Sequence, residues 1–142
     1  MSNTDRRTAV LETLHRLQAA IDQRDWDVVT DTFLPDATGY GAVGVKSILA
    51  QMHAHLDGCG ATQHLLGNEI VEFDGPEALI HAYARVYHAG AGVKAGAFFE
   101  CMGEYTDRWI EIEGQWRLKK RRFEMRIMLG DFEVLRPTTE PR

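Results

Sequence analysis

The sequence predicts an α+β fold, three N-terminal helices followed by a long antiparallel sheet. Three observations carry this. Apolar residues recur at helical spacing before Gly60, they alternate with period two after it, and turn signals stand at Asp74–Pro76 and Glu113–Gly114. At 142 residues the chain is the size of one compact domain, expected over residues 1–135, with a flexible tail over 136–142.

From Thr8 to Asp22, Val10, Leu14, Leu17 and Ile21 draw one apolar stripe on a first helix. Asp25 is placed to cap a second short helix carrying Trp26, Val29 and Phe33 and ending before Pro35. The stretch DATGYGAVG reads as loop or short strand. Val45, Ile48, Leu49, Met52 and Leu56 mark a third helix, closed by Gly58. Then TQHLLGNEIVEF and EALIHAYARVYH form one predicted hairpin, and AFFECMGEYTDRWIEI and QWRLKKRRFEMRIML a second. In the last strand Trp116 and Leu118 share one phase while Phe123, Met125, Ile127 and Leu129 share the other, which predicts a bulge near Lys120 to Arg122.

Composition narrows the function. Net charge is -5 and mean hydropathy -0.29, which argues against nucleic-acid and membrane partners and leaves a small-molecule substrate. The N-terminus MSNTDRRTAV shows no targeting pattern, so a cytoplasmic location is expected. Cys59 and Cys101 lack CxxC spacing and read as reduced, buried thiols; with no HExxH pattern either, neither a metal nor another cofactor is expected. GYGAVG lacks a βαβ setting, so a dinucleotide site has little support.

Six histidines are many for this length, and histidine titrates near neutral pH. His88 ends the face Ile80, Ala82, Ala84, Val86, whose small side chains would line a space without filling it; it is either a core histidine with one hydrogen bond or an acid/base group in a pocket. His64 stands beside Leu65 and Leu66 in a strand, where a backbone carbonyl could equally satisfy it. Asp22 lies one residue past the helical stripe, either solvated in a turn or bound to a partner. Tyr40, between two glycines, could pack under the helices or point its hydroxyl into a cavity, packing being the local preference. His53 and His55 are expected to be solvated, and His15 and His81 to be surface or packing residues. The run Arg117, Lys119, Lys120, Arg121, Arg122 and Arg126 reads as a solvated strand face pairing with Glu104, Glu111 and Glu113, with an anionic substrate or a subunit contact as alternatives.

The segments AAIDQRDWDVV, TQHLLGN and EGQWRLKK, with the order of elements from Ala9 to Phe132, resemble the SnoaL-like branch of the nuclear transport factor 2-like superfamily, and within it the scytalone dehydratases. The resemblance implies a cone-shaped curved antiparallel sheet packed on the three helices, enclosing an acid/base pocket. It places the family's Asp before "DWD" on Asp22, its histidine in "TQH" on His64, its second histidine on His88 and a carbonyl-activating tyrosine on Tyr40. A second family tyrosine is replaced by Ile21, and a serine and an asparagine by Gly103 and Tyr105. Ile21, Val86, Gly103 and Tyr105 are thus the expected substrate-binding positions. The implied chemistry is a lyase acting on a small cyclic or aromatic hydroxy-ketone, in which Asp22 fixes a tautomer, His64 removes a proton α to a carbonyl, His88 protonates the leaving hydroxyl and Tyr40 polarises the carbonyl. An isomerase, polyketide cyclase or hydrolase, or a non-catalytic binding protein, could use the same pocket. A homo-oligomer, trimer or dimer, is also implied.

Overall fold

The computed structural model describes residues 1–136. Helix α1 spans Asn3–Gln23, starting five residues before the apolar stripe predicts because Ser2 caps it: the Ser2 hydroxyl accepts a hydrogen bond from the Asp5 amide at 3.1 Å. Val10, Leu14, Leu17 and Ile21 are buried along it, each contributing about 1.5–3 kcal/mol by leaving water. Arg24 ends the helix in the left-handed conformation. Asp25 caps α2 (Trp26–Thr32), accepting from the Val28 amide. Phe33 does not belong to that helix but opens strand β1 (Phe33–Gly39), which a tight turn at Tyr40–Gly41 joins to the two-residue β2 (Ala42–Val43). Helix α3 (Val45–Leu56) follows, with Asp57 as its terminal cap.

Four long strands complete the chain: β3 (Cys59–Asp74), β4 (Glu77–Gly90), β5 (Phe98–Ile112) and β6 (Gln115–Gly130). They form one curved, unclosed sheet in the order β2-β1-β6-β5-β4-β3. The pairings are antiparallel except one, since β1 runs parallel to β6. The four long strands are antiparallel throughout, as expected, and the short β1 adds the one parallel pairing. A parallel neighbour needs a long crossover, and here β1 and β6 lie far apart in the chain. The predicted tail lies, apart from Arg136, outside the described residues. Among the described residues no helix is long and apolar enough to cross a membrane.

The concave face of the sheet holds the helices, and alternation decides what reaches it. On β4 the predicted phase holds: Ile80, Ala82, Ala84, Val86 and His88 are buried, while Tyr83 and Tyr87 lie outside. On β6 the phase changes twice. Lys119 is an extra residue between the pairs Trp109–Leu118 and Arg108–Lys120, just before the predicted place, and it turns Arg121 and Phe123 inward. A second bulge at Arg126 lies between the pairs Gly103–Met125 and Met102–Ile127. It divides the four residues expected to share a face, leaving Phe123 and Met125 on the inside and sending Ile127 outward beside Met102.

Gly103 sits opposite the second bulge. A Cβ there would meet the Glu124 carbonyl oxygen and come within 2.8 Å of the Phe123 ring. The missing side chain lets Phe123 lie flat against β5. Gly103→Ala is therefore expected to destabilise the fold by about 1–3 kcal/mol through overpacking, measured as a lower urea midpoint at unchanged slope.

Candidate active site

Asp22 lies in the last turn of α1, and β3 passes directly beside it. Its carboxylate collects three donors. The Thr62 hydroxyl donates to Oδ1 at 2.9 Å, the His64 amide to Oδ2 at 2.9 Å, and His64 Nδ1 to Oδ1 at 2.6 Å. Period two on β3 puts Thr62 and His64 on the same, concave face. Arg24 braces the arrangement from behind, donating to the Ile21 and Asp22 carbonyls, to the Gly60 carbonyl and to Thr62 Oγ1. Because a guanidinium only donates, the Thr62 hydroxyl must accept from it and is left to give its proton to Asp22. Burial alone would raise the Asp22 carboxyl, but the hydrogen bond and charge of His64, with the backbone and Thr62 donors, outweigh it and hold the pKa below its ordinary value.

An ionised Asp22 fixes the His64 tautomer. With Nδ1–H held by the carboxylate, the other ring nitrogen, Nε2, is left as an acceptor. His64 lines a cavity of about 190 Å³ between the sheet and the helices. His88 lines the same cavity from β4, one strand over. Its Nδ1 lies 3.0 Å from the Phe99 carbonyl oxygen, which can only accept, so this nitrogen carries the proton and Nε2 again is bare. Burial lowers the His88 pKa, opposed in part by that hydrogen bond and reinforced by His64 and Arg24. With its one N–H already engaged by the Phe99 carbonyl, the neutral ring presents Nε2 as a hydrogen-bond acceptor.

Tyr40 also lines the cavity, from a backbone with φ of 52° in the β1–β2 turn. It packs against the helical core, as its local setting predicts, and its hydroxyl also accepts from Arg121 Nη1 at 3.3 Å. Of the four positions expected to bind substrate, Ile21, Val86 and Tyr105 line the cavity. Gly103 does not; it lies beneath Phe123, whose ring lines the cavity in its place. His55 is exposed, as expected, and diverges from His53 as helical geometry requires; it also borders the cavity beside Gln51 and Met52. His53 pairs with Asp57 at 2.9 Å and packs on Trp26, while His15 and His81 pair with Glu69 and Glu104. Cys101 lines the wall, its thiol pushed up to about 11 by burial and by Glu100, so it stays protonated at neutral pH.

The basic run departs most from expectation. Lys119 pairs with Glu77, Arg122 with Glu124, and Arg126 with Glu104 and Glu124, as a solvated face would. Glu111 and Glu113, expected as partners, form no ion pair among the described residues. Arg121, however, is fully buried against an equally buried Asp107. Both bonds of this pair, Nε to Oδ1 at 2.9 Å and Nη2 to Oδ2 at 2.8 Å, are made in the fork geometry that suits a guanidinium and a carboxylate. Nη1 donates to Gln18 Oε1 at 2.7 Å, and the guanidinium lies 4.0 Å over the Tyr105 ring. The signal was present in the alternation of β5, where Asp107 shares the inward phase of Tyr105 and Trp109, and in Gln18, one helical turn before Asp22. Among the described residues no group of three or more histidine, cysteine or acidic side chains could hold a metal ion.

A family model for the SnoaL-like domain matches residues 2–122. No curated protein matches the chain significantly in sequence. Solved structures share its fold at low identity. A protein named "Putative Scytalone Dehydratase" from Novosphingobium aromaticivorans superposes with a TM-score of 0.83 at 16% identity, covering 99% of this chain and 97% of its own. The Kfla4162 protein of Kribbella flavida gives 0.84 at 18% identity, covering 94% and 99%. The hexachlorocyclohexane dehydrochlorinase LinA-type3 of Novosphingobium barchaimii gives 0.77 at 16%, covering 91% and 94%. With its family model spanning most of the sequence and its fold shared with these structures, the chain belongs to the SnoaL-like domain family.

Proposed function

We propose that the protein is a cofactor-independent lyase of the dehydratase type, acting on a small cyclic or aromatic hydroxy-ketone. One observation carries this reading: a carboxylate-held imidazole, Asp22–His64 at 2.6 Å, lines an apolar cavity of ring-like size. Two structural neighbours bear names, dehydratase and dehydrochlorinase, that denote eliminations, which supports the same class of reaction.

His64 Nε2 removes the proton α to the carbonyl, and the electron pair passes into the carbonyl to give an enolate. Tyr40 donates a hydrogen bond to that oxygen. The imidazolium, stabilised by Asp22, then returns the proton to the β-hydroxyl as the enolate collapses, releasing water and forming a carbon–carbon double bond. His88, bare at Nε2, accepts a hydrogen bond from the substrate hydroxyl and orients it. Tying acid and base to one imidazole follows from the neutrality of His88 and keeps proton removal and delivery on one face of the substrate.

Turnover of small cyclic and aromatic β-hydroxy-ketones, followed by the absorbance of the conjugated product, tests this reading. His64→Ala is expected to lower kcat/KM by roughly 10²- to 10⁴-fold, and Asp22→Asn, which removes the acceptor that fixes the tautomer, by a comparable factor. Full turnover in both variants would overturn the mechanism, and a product that has kept its water would reassign the reaction.

A second expectation concerns stability against pH. The unfolded chain protonates His88 near pH 6.5, but the buried ring resists, so the unfolded state binds more protons and stability falls as pH drops through that value. Asp22 acts in a lower window: its contribution is complete above its ordinary value of 3.8 and is lost as pH falls through the depressed one. Urea midpoints measured between about pH 7.5 and about pH 5.5 should fall more steeply for the native chain than for His88→Gln, whose amide can keep the bond to Phe99 without titrating. Equal slopes would show that His88 titrates normally.

A further inference from the structure

The inner wall of the cavity, opposite the imidazoles in function, is built on the buried Arg121–Asp107 pair, and its hydrogen bonds can be assigned a direction one by one. Asp107 occupies Nε and Nη2 of Arg121. Nη1 donates to Gln18 and to Tyr40. A guanidinium has no acceptor, so the Gln18 atom facing it must be the amide oxygen. The Gln18 NH₂ therefore faces Tyr105 and donates to its hydroxyl at 3.4 Å. Both phenol oxygens, Tyr40 from Arg121 and Tyr105 from Gln18, thus accept from behind. Neither can return its proton to its donor. Both tyrosines line the cavity, and burial pushes the Tyr105 pKa well up, so it keeps that proton.

We propose that Arg121 and Gln18 are positioning residues that turn Tyr40 and Tyr105 into a paired hydrogen-bond donor site for one ligand oxygen carrying full or developing negative charge, such as an enolate or a phenolate. This deepens the lyase reading, on which the enolate assignment rests, by placing a second donor, Tyr105, from β5 beside Tyr40. The site is pre-oriented: its donors need not reorganise when charge appears, which is the condition under which such hydrogen bonds count most. Tyr105 reaches it through the same chain of donors that holds Gln18, so the two phenols are set by one buried charge.

Binding of 4-nitrophenolate, with 4-nitrotoluene as an isosteric ligand lacking the oxygen, tests the site without any turnover. The ionised fraction of the bound phenol is read from its absorbance. The native protein is expected to prefer the phenolate, and Tyr40→Phe and Tyr105→Phe each to lose about tenfold or more of phenolate affinity while binding 4-nitrotoluene unchanged. Gln18→Met keeps side-chain length and charge but removes the donor behind Tyr105; it should lose part of the preference, less than Tyr105→Phe does. The proposal is overturned if the native protein binds both ligands alike, if either Phe variant keeps the full preference, or if Gln18→Met keeps it or weakens both ligands equally. Failure to turn over hydroxy-ketones would count against the lyase alone, since phenolate preference is measured independently.

Discussion

A guanidinium buried without solvent must find acceptors for its N–H groups, and the interior of this protein is organised around how Arg121 does so. Asp107 neutralises it and takes two of its bonds, with Trp109 adding a third donor to the same carboxylate at 3.2 Å. A buried ion pair is a poor source of stability, because desolvation of both charges offsets most of their attraction. What it supplies here is direction. One donor-only group at the centre of the inner wall decides which end of Gln18 faces which neighbour and which way two phenols turn. An apolar pair of similar volume would fill the same space and leave those orientations undetermined.

The two imidazoles in the cavity illustrate how strongly environment separates identical side chains. His64 and His88 lie on adjacent strands, with Thr62 opposite His88 in the register, and both present a bare Nε2. Yet His64 leans on the Asp22 carboxylate, while His88 leans on the Phe99 carbonyl and burial lowers its pKa. A carboxylate partner makes a ring able to take and give a proton; a carbonyl partner makes it an oriented acceptor. The contrast between the two rings follows from the second atom in each hydrogen bond.

Much of this organisation is written in local patterns. The stripe Val10, Leu14, Leu17, Ile21 and the alternation Ile80 to His88 depend on near neighbours in the chain, and both survive into the structure. The resemblance of AAIDQRDWDVV and TQHLLGN singled out Asp22 and His64, which meet across 42 residues. What escaped was non-local. The parallel pairing of β1 with β6 has no local signature, and Phe33 fits a helical stripe as well as it fits a strand. Charge type misled at Arg121: among five other basic residues it looked solvated, and only the extra residue at Lys119 turns it inward. His55 shows the same limit, because helical geometry separates it from His53 without saying which of the two meets the cavity.

The second bulge on β6 gives that strand end a double duty. Upstream of Arg126, Phe123 and Met125 line the cavity; downstream, Ile127 lies exposed on the far side of the sheet in the same groove as Leu65 and Tyr83. The bulge is thus a frame marker, assigning each following residue to the inside or the outside. A substitution on either side of it changes one surface only. Taking the extra residue into regular pairing, with Arg126 opposite Met102, would slip the register by one and exchange interior and exterior side chains from there to the strand's end with no change of composition. In this part of the chain, register is as strict a determinant of the cavity as residue type.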